Sequence, residues 1–393
     1  HYTFLCLLST FLLTFFFLKI ILVIANILLG NRGLLMKKIQ VIDLKPDMIP
    51  AEDVMTKGGQ LVVGKGVPLT KKLILRITFY NIPFIYVEGE EEAPVEKPQL
   101  SPDYTQKIRR SNEFQSFQID HSVVLTMIRE SFTAFVEKGT PLPIDELLNA
   151  TVNLYRTCKT SLDLFNMLHN MRSSDDSIYA HCLNVALVSR RLGRWLKVDD
   201  DTLNLLTLCG LLHDIGKLKI PQEILNKPGK YTDEEFALVK KHPVFGYELL
   251  KNLPIDTRIK KAALSHHERC DGTGYPLGLK QEDLDNCTMV VAIADVYDAM
   301  TAARSYRAPL CPFQVIERFE QDGLQKYNPK FILTFLSRIA DTYKNHRVLL
   351  NDGRSATVVM INANRLSKPL IQFNDGSCID LSKQEGLFIQ TVL

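Results

Sequence analysis

Five histidines and two aspartates in this chain could hold metal ions together: His181, His213, Asp214, His242, His266, His267 and Asp295. Taken singly, each has an ordinary explanation. His181 lines up at helical spacing with Val185, Val188 and Leu192, where a neutral imidazole is usually a satisfied core residue. His213-Asp214 could cap a helix, and His242 before Pro243 could face water. Asp295 in MVVAIADVYDAM is harder to dismiss, because a carboxylate on an apolar helix is costly unless paired or metal-bound. As a set they offer nitrogen and oxygen donors and no thiolate, which suits two first-row ions, iron or manganese ahead of zinc. A carboxylate such as Asp214 can bridge two cations. Ions about 3.5–4 Å apart can hold a hydroxide between them and neutralise a phosphate. The set therefore points to a binuclear hydrolase of phosphate esters.

Helices must position these residues. The run Leu205–Leu212 ends in His213-Asp214, and Gly216 reads as a helix stop that takes the left-handed turn. Apolar periodicity predicts helices over His121–Lys138, Ile144–Met171, Cys182–Leu196, Leu203–His213, Glu234–Leu250, Asp256–His266, Met289–Thr301, Pro312–Asp322 and Phe331–Lys344. A run of helices without intervening strands predicts a mainly α fold, an all-helical metal-dependent phosphohydrolase domain over 117–346. Residues 36–88 read as short strands around one helix, a small α/β regulatory module. The acidic, proline-bearing stretch 89–116 reads as a linker. Residues 347–393 alternate apolar and polar positions, with turns at Asn351-Asp352-Gly353 and Asn374-Asp375-Gly376, and read as a small β-rich domain.

Composition narrows the class. At 393 residues, with 46% hydrophobic and 23% charged, the chain is a globular protein of more than one domain. A net charge of +3 gives no support for binding a nucleic-acid polymer. The eight cysteines are scattered without a CxxC pair, as expected of reduced thiols in the cytoplasm. Residues 1–35 form an apolar leader broken by Lys19 and followed by Lys37 and Lys38. It reads either as a membrane anchor that leaves the rest on the cytoplasmic side, or as sequence upstream of a soluble protein starting at Met36.

The motifs also carry a family resemblance. His213-Asp214 with Gly216-Lys217, followed by HHExxDGxGYP at His266–Pro276, resembles the HD-GYP family of the HD phosphohydrolase superfamily, over about Ile178 to Arg307. The 37–88 module is similar to a small domain often found ahead of HD-GYP domains. The resemblance implies a phosphodiesterase that linearises cyclic di-GMP and can continue to GMP. It implies metal ligands at His181, His213, Asp214, His242, His266, His267 and Asp295, with Asp214 and Lys217 as the catalytic pair. Lys217, Gly274, Tyr275, Pro276, Arg304 and Arg307 are implied on the substrate side, and the GYP loop as a dock for diguanylate cyclase (GGDEF) domains; a homodimer is left open. Two departures stand out. Where some members carry a glutamate for a third metal, this chain has Ser177, so two ions are expected. Ser305 replaces the proline of the family's usual RPYR, which weakens the arginine clamp.

Overall fold

The computed structural model describes residues 36–41, 44–56, 61–79, 82, 84–88, 108–171, 177–227, 229–301 and 310–393. The apolar leader, most of the expected linker, and Arg304, Ser305 and Arg307 lie outside the described residues. The chain divides into two compact units, 1–100 and 101–393. Among the described residues, no helix is long and apolar enough to cross a membrane.

In the first unit, β1 (Met36–Gln40) pairs antiparallel with β4 (Phe84–Glu88), and β2 (Val54–Met55) with β3 (Leu61–Val63). The helix α1 (Lys71–Phe79) contributes Ile77 to a small core with Val54, Val63, Ile85 and Val87. This is the small α/β module expected from the pattern.

The second unit is mainly helical. Its helices are α2 (Asn112–Lys138), α3 (Ile144–Thr157), α4 (Ser161–Met171), α5 (Ile178–Trp195), α6 (Asp200–Leu212), α7 (Gln222–Leu225), α8 (Asp233–Val239), α9 (His242–Leu250), α10 (Thr257–Ser265), α11 (Asn286–Thr301), α12 (Pro312–Asp322) and α13 (Pro329–Thr342). Helix α2 begins well before His121, because the Ser111 side chain accepts the Phe114 N–H and caps it there. The helix expected over Ile144–Met171 is two. Thr160 and Asp163 exchange side chain-to-backbone hydrogen bonds, which starts α4 afresh after α3 ends. Glu234–Leu250 also divides, since Pro243 has no N–H to continue a helix and sits instead in the first turn of α9.

The last five strands, β5 (Arg347–Leu350), β6 (Ser355–Met360), β7 (Leu370–Phe373), β8 (Cys378–Asp380) and β9 (Ile389–Val392), form an antiparallel sheet in the order β8-β7-β6-β5-β9. Both tight turns place glycine in the left-handed region, Gly353 at φ 88° and Gly376 at φ 86°. Val348, Val358 and Ile371 share one apolar core with Phe313, Phe335 and Phe165 of the helices. Each such side chain, fully buried, contributes on the order of 1.5–3 kcal/mol.

The centre of this core positions the chemistry. Gly210 of α6 lies against α5 so closely that a Cβ there would stand 2.7 Å from Ala186 Cα. Gly216 does the same for the turn after α6. It is not the left-handed stop expected, but part of a short 3-10 helix, Ile215–Lys219. A Cβ on it would meet His242 O at 2.0 Å and Gly246 N at 2.3 Å, so its absence lets α9 approach the His-Asp pair.

Candidate metal centre

All seven expected ligand side chains converge. His181 comes from α5, His213 and Asp214 from the end of α6, His242 from the start of α9, His266 and His267 from the end of α10, and Asp295 from α11. They fall into two groups, His181–His213–Asp295 and Asp214–His242–His266–His267. Asp214 faces both. Its Oδ2 lies 3.4 Å from the Nε2 atoms of His181 and His213, while its Oδ1 lies 3.1 Å from His242 Nε2 and 3.5 Å from His266 Nε2. Asp295 spans the other side, with Oδ1 3.1 Å from His181 Nε2 and Oδ2 3.5 Å from His267 Nδ1.

The ring orientations follow from helix-end chemistry. The last carbonyls of a helix lack internal partners. His213 Nδ1 donates to Gly210 O at 2.7 Å, His242 Nδ1 to Val239 O at 2.7 Å, and His266 Nδ1 to both Ala262 O and Ala263 O at 3.1 Å. A carbonyl only accepts, so Nδ1 carries the proton and Nε2 presents a lone pair inward. His181 reaches the same tautomer through Asp298, whose Oδ2 lies 2.8 Å from its Nδ1.

Lone pairs then face one another: His181 and His213 Nε2 at 3.3 Å, His242 and His266 Nε2 at 3.2 Å. Asp214 Oδ1 is buried without a hydrogen-bond donor. Such an arrangement repels itself unless protons or cations lie between the donors. The set therefore fits divalent metal ions, held by imidazole nitrogens and carboxylate oxygens with carbonyls and a carboxylate fixing the rings behind them.

The protonation pattern of the bare side chains agrees. Burial, reinforced by neighbouring imidazoles, holds His267 well below the usual histidine range. Burial also lowers His242 and His266, against the pull of Asp214. His181 goes the other way: burial pushes it down, but Asp295 and Asp298 override this and bring it up to about 10. A proton there occupies the position a cation would take. Burial would raise Asp214, yet Lys217, His213 and His242 hold it well below the carboxylate range.

One side of the centre is open. Asp214 and His266 are buried, whereas the side chains of His181, Lys217 and His267 are about one-fifth exposed (19%, 22% and 18%) and form the mouth. Lys217 Nζ donates to Asp214 Oδ2. Burial pushes its pKa down, but the Asp214 charge outweighs this and raises it, so the ammonium persists. Ser177, four residues before His181, caps α5 by accepting the Ala180 N–H.

The loop from Asp271 to Lys280 covers the mouth from the His267 side. The Tyr275 ring stacks on His267 with centroids 4.7 Å apart. Gly274 is obligatory, because a Cβ would stand 2.3 Å from Glu268 Cα. Tyr275 precedes Pro276 through a cis bond.

Two residues the sequence reading left without a role complete the site. Glu268, buried, accepts the backbone N–H groups of Leu277 (2.6 Å), Gly278 (3.1 Å) and Leu279 (3.0 Å) and ties the loop to the metal-side chain segment. Its signal was a carboxylate directly after the histidine pair and before a glycine-rich turn with N–H groups to satisfy. Asp298, also buried, had a signal too: a second acid three residues after Asp295, on the same face of an apolar helix.

Residues 161–331 match the family model of the HD domain, and this segment of the chain is an HD domain. The HHExxDGxGYP motif at His266–Pro276 lies within the matched residues. The chain is 36% identical over 207 residues to a cyclic di-GMP phosphodiesterase of Pseudomonas aeruginosa, covering 52% of this chain and 50% of that protein. It is 35% identical over 202 residues to a cyclic di-GMP phosphodiesterase of Thermotoga maritima, covering 49% and 54%. A 3'3'-cGAMP-specific phosphodiesterase of Vibrio cholerae is 33% identical over 189 residues, covering 48% and 36%. The chain thus spans about half the length or less of these curated relatives.

Proposed function

We propose that this chain is a metal-dependent phosphodiesterase that hydrolyses cyclic di-GMP to the linear dinucleotide. The observation that carries the reading is Asp214, whose two oxygens face two separate sets of imidazoles. In this reading His181, His213 and Asp295 hold one ion, His242, His266 and His267 the other, and Asp214 both. Iron or manganese suits the all-nitrogen-and-oxygen donor set better than zinc. When bound, such a pair supplies an activated water and neutralises the phosphate.

The chain's own groups do the rest. Lys217 Nζ, kept charged by Asp214, stands at the mouth and stabilises negative charge as the water oxygen bonds to phosphorus. The P–O3′ bond breaks and O3′ leaves with a proton delivered through solvent. Tyr275, Gly274 and Pro276 wall the mouth beside His267, and Arg304 and Arg307 are assigned to the second phosphate. The exposed Leu277 supports the loop as a dock for a diguanylate cyclase domain. Free thiols at all seven described cysteines support a cytoplasmic site of action.

The likeness to a cGAMP-specific relative favours one second reading, a related cyclic dinucleotide as substrate. The test is anaerobic purification with manganese or iron, followed by product analysis on cyclic di-GMP, cGAMP and cyclic di-AMP. Linear product with about two ions per chain is expected. Tight binding with both ions present and no turnover would replace the enzyme by a sensor.

A further inference from the structure

Helix α2 has an outer face unlike an ordinary solvated one. Its inner face buries Phe114, Phe117, Val124, Ile128 and Phe132 at helical spacing. On the opposite face Ile119 and Val123, one turn apart, are 65% and 61% exposed. No other large apolar side chain among the described residues is as exposed. Gln115, Ser116, Ser122 and Thr126 share this face, and none of them is charged.

The small polar residues do little to make the stripe hydrophilic. Ser122 Oγ donates to Gln118 O at 2.8 Å and Thr126 Oγ1 to Ser122 O at 2.9 Å, so both hydroxyl protons are used within the helix. A shallow groove of about 560 Å³ runs along Gln118, Ile119, Ser122, Val123 and Thr126. Side chains of this size let a second helix come within about 8–10 Å, axis to axis. An exposed apolar stripe of this kind marks a surface that a partner covers.

Charges at the two ends of the stripe select the partner. Arg110 stands just before the Ser111 cap, and Glu130 continues the stripe one turn beyond Thr126; both are exposed. If a second copy runs antiparallel about a two-fold axis midway between Ile119 and Val123, each Ile119 packs on Val123 of the other copy. Gln115 then faces Thr126, and each Arg110 comes within a turn of Glu130 of the other copy. A parallel pair would set Arg110 on Arg110 and Glu130 on Glu130, like charge on like.

We propose that this stripe pairs with the same stripe of a second copy, α2 antiparallel to α2, in a two-fold dimer. From Asn112 to Glu130 the stripe is only about 27 Å long. That is short of what a permanent interface needs, so the pairing is weak and depends on concentration.

The test is sedimentation of the full metal-loaded chain over a range of concentrations, with thermal melts and metal content as controls on folding. The wild type should pass from monomer to dimer as concentration rises. Ile119→Glu puts a carboxylate from each copy into the interface and should weaken pairing about a hundredfold, with melt and metal content unchanged. Arg110→Glu and Glu130→Arg should each weaken it about fivefold, and the double variant should regain the loss. Gln115→Cys and Thr126→Cys, oxidised as a mixture, should cross-link above the wild-type background, while neither does so alone. Cross-linking within each variant alone would mean parallel pairing and overturns the proposal. A dimer that survives Ile119→Glu overturns it as well. So does a wild type that stays monomeric, whether Ile119→Cys is then shielded from a maleimide by another part of the chain or reactive and left for a different protein.

Discussion

Asp298 Oδ2 lies 2.8 Å from His181 Nδ1, and that contact decides which nitrogen of His181 faces the metal centre. The carboxylate fixes the ring and raises its basicity. Asp298→Asn keeps the shape and removes the charge. Metal affinity should fall about 10- to 100-fold, read by competition with a chromophoric chelator. An affinity equal to the wild type would mean that His181 is held by packing alone.

Asp214 faces both imidazole groups and also pairs with Lys217. Asp214→Asn should therefore lower the metal content of the purified chain from about two ions to below one, with loss of at least about a thousandfold in hydrolysis. Elemental analysis and a turnover assay check this together. Retention of both ions would remove the bridging role.

The fold needs glycine where backbones touch. Gly216→Ala puts a methyl within 2.0 Å of His242 O, so the 3-10 turn and α9 must separate. A destabilisation of about 1–3 kcal/mol is expected, with weakened metal binding, since His242 moves with the helix. Gly353→Ala, where the added carbon meets nothing but φ is 88°, should cost only about 1 kcal/mol and leave metal binding intact. Thermal melts and chelator titrations on both variants separate the two effects.

Glu268 supplies the acceptor for three loop N–H groups. Glu268→Gln removes the charge and turns one acceptor into a donor, at a cost of about 1.5–3 kcal/mol. Faster hydrogen exchange at residues 277–279 is the expected readout. Unchanged protection there would show that the loop is held by its own turn.

The metal-free protein should be most stable near neutral pH. His242, His266 and His267 have folded pKa values below their unfolded ones, so as pH falls through about 6.5 the unfolded chain takes up protons that the fold refuses, and stability drops. His181 acts oppositely: its contribution is full below about 6.5 and is lost as pH rises towards about 10. Melting temperatures in chelator from pH 5 to 9 should trace a maximum between these limits. A curve still rising at pH 9 would contradict the His181 assignment.

The ligand set was legible because its information lies in residue type. His181 alone reads as an ordinary core residue, and it stands out only beside Asp295, the His213-Asp214 pair and the His266-His267 doublet. The supporting contacts were harder to read. Asp298 acts on a partner 117 positions away that nothing in its immediate neighbours names, and Glu268 acts about ten positions on, where the glycine-rich turn is visible but not which acid satisfies its N–H groups. Gly216 was read from local turn chemistry, whereas its role is set by α9, more than twenty residues on. The helix divisions at Thr160 and Pro243 did have local signals, but apolar periodicity ran through them and hid the break.

Three of the histidines hold the terminal carbonyls of helices with one nitrogen and leave the other for the centre. A relative that abandoned turnover would still need those rings to keep its helices from fraying. Its carboxylates would have no comparable second occupation. Surviving histidines are thus a poor guide to whether an ancient copy still works, and an intact Asp214 is a better one.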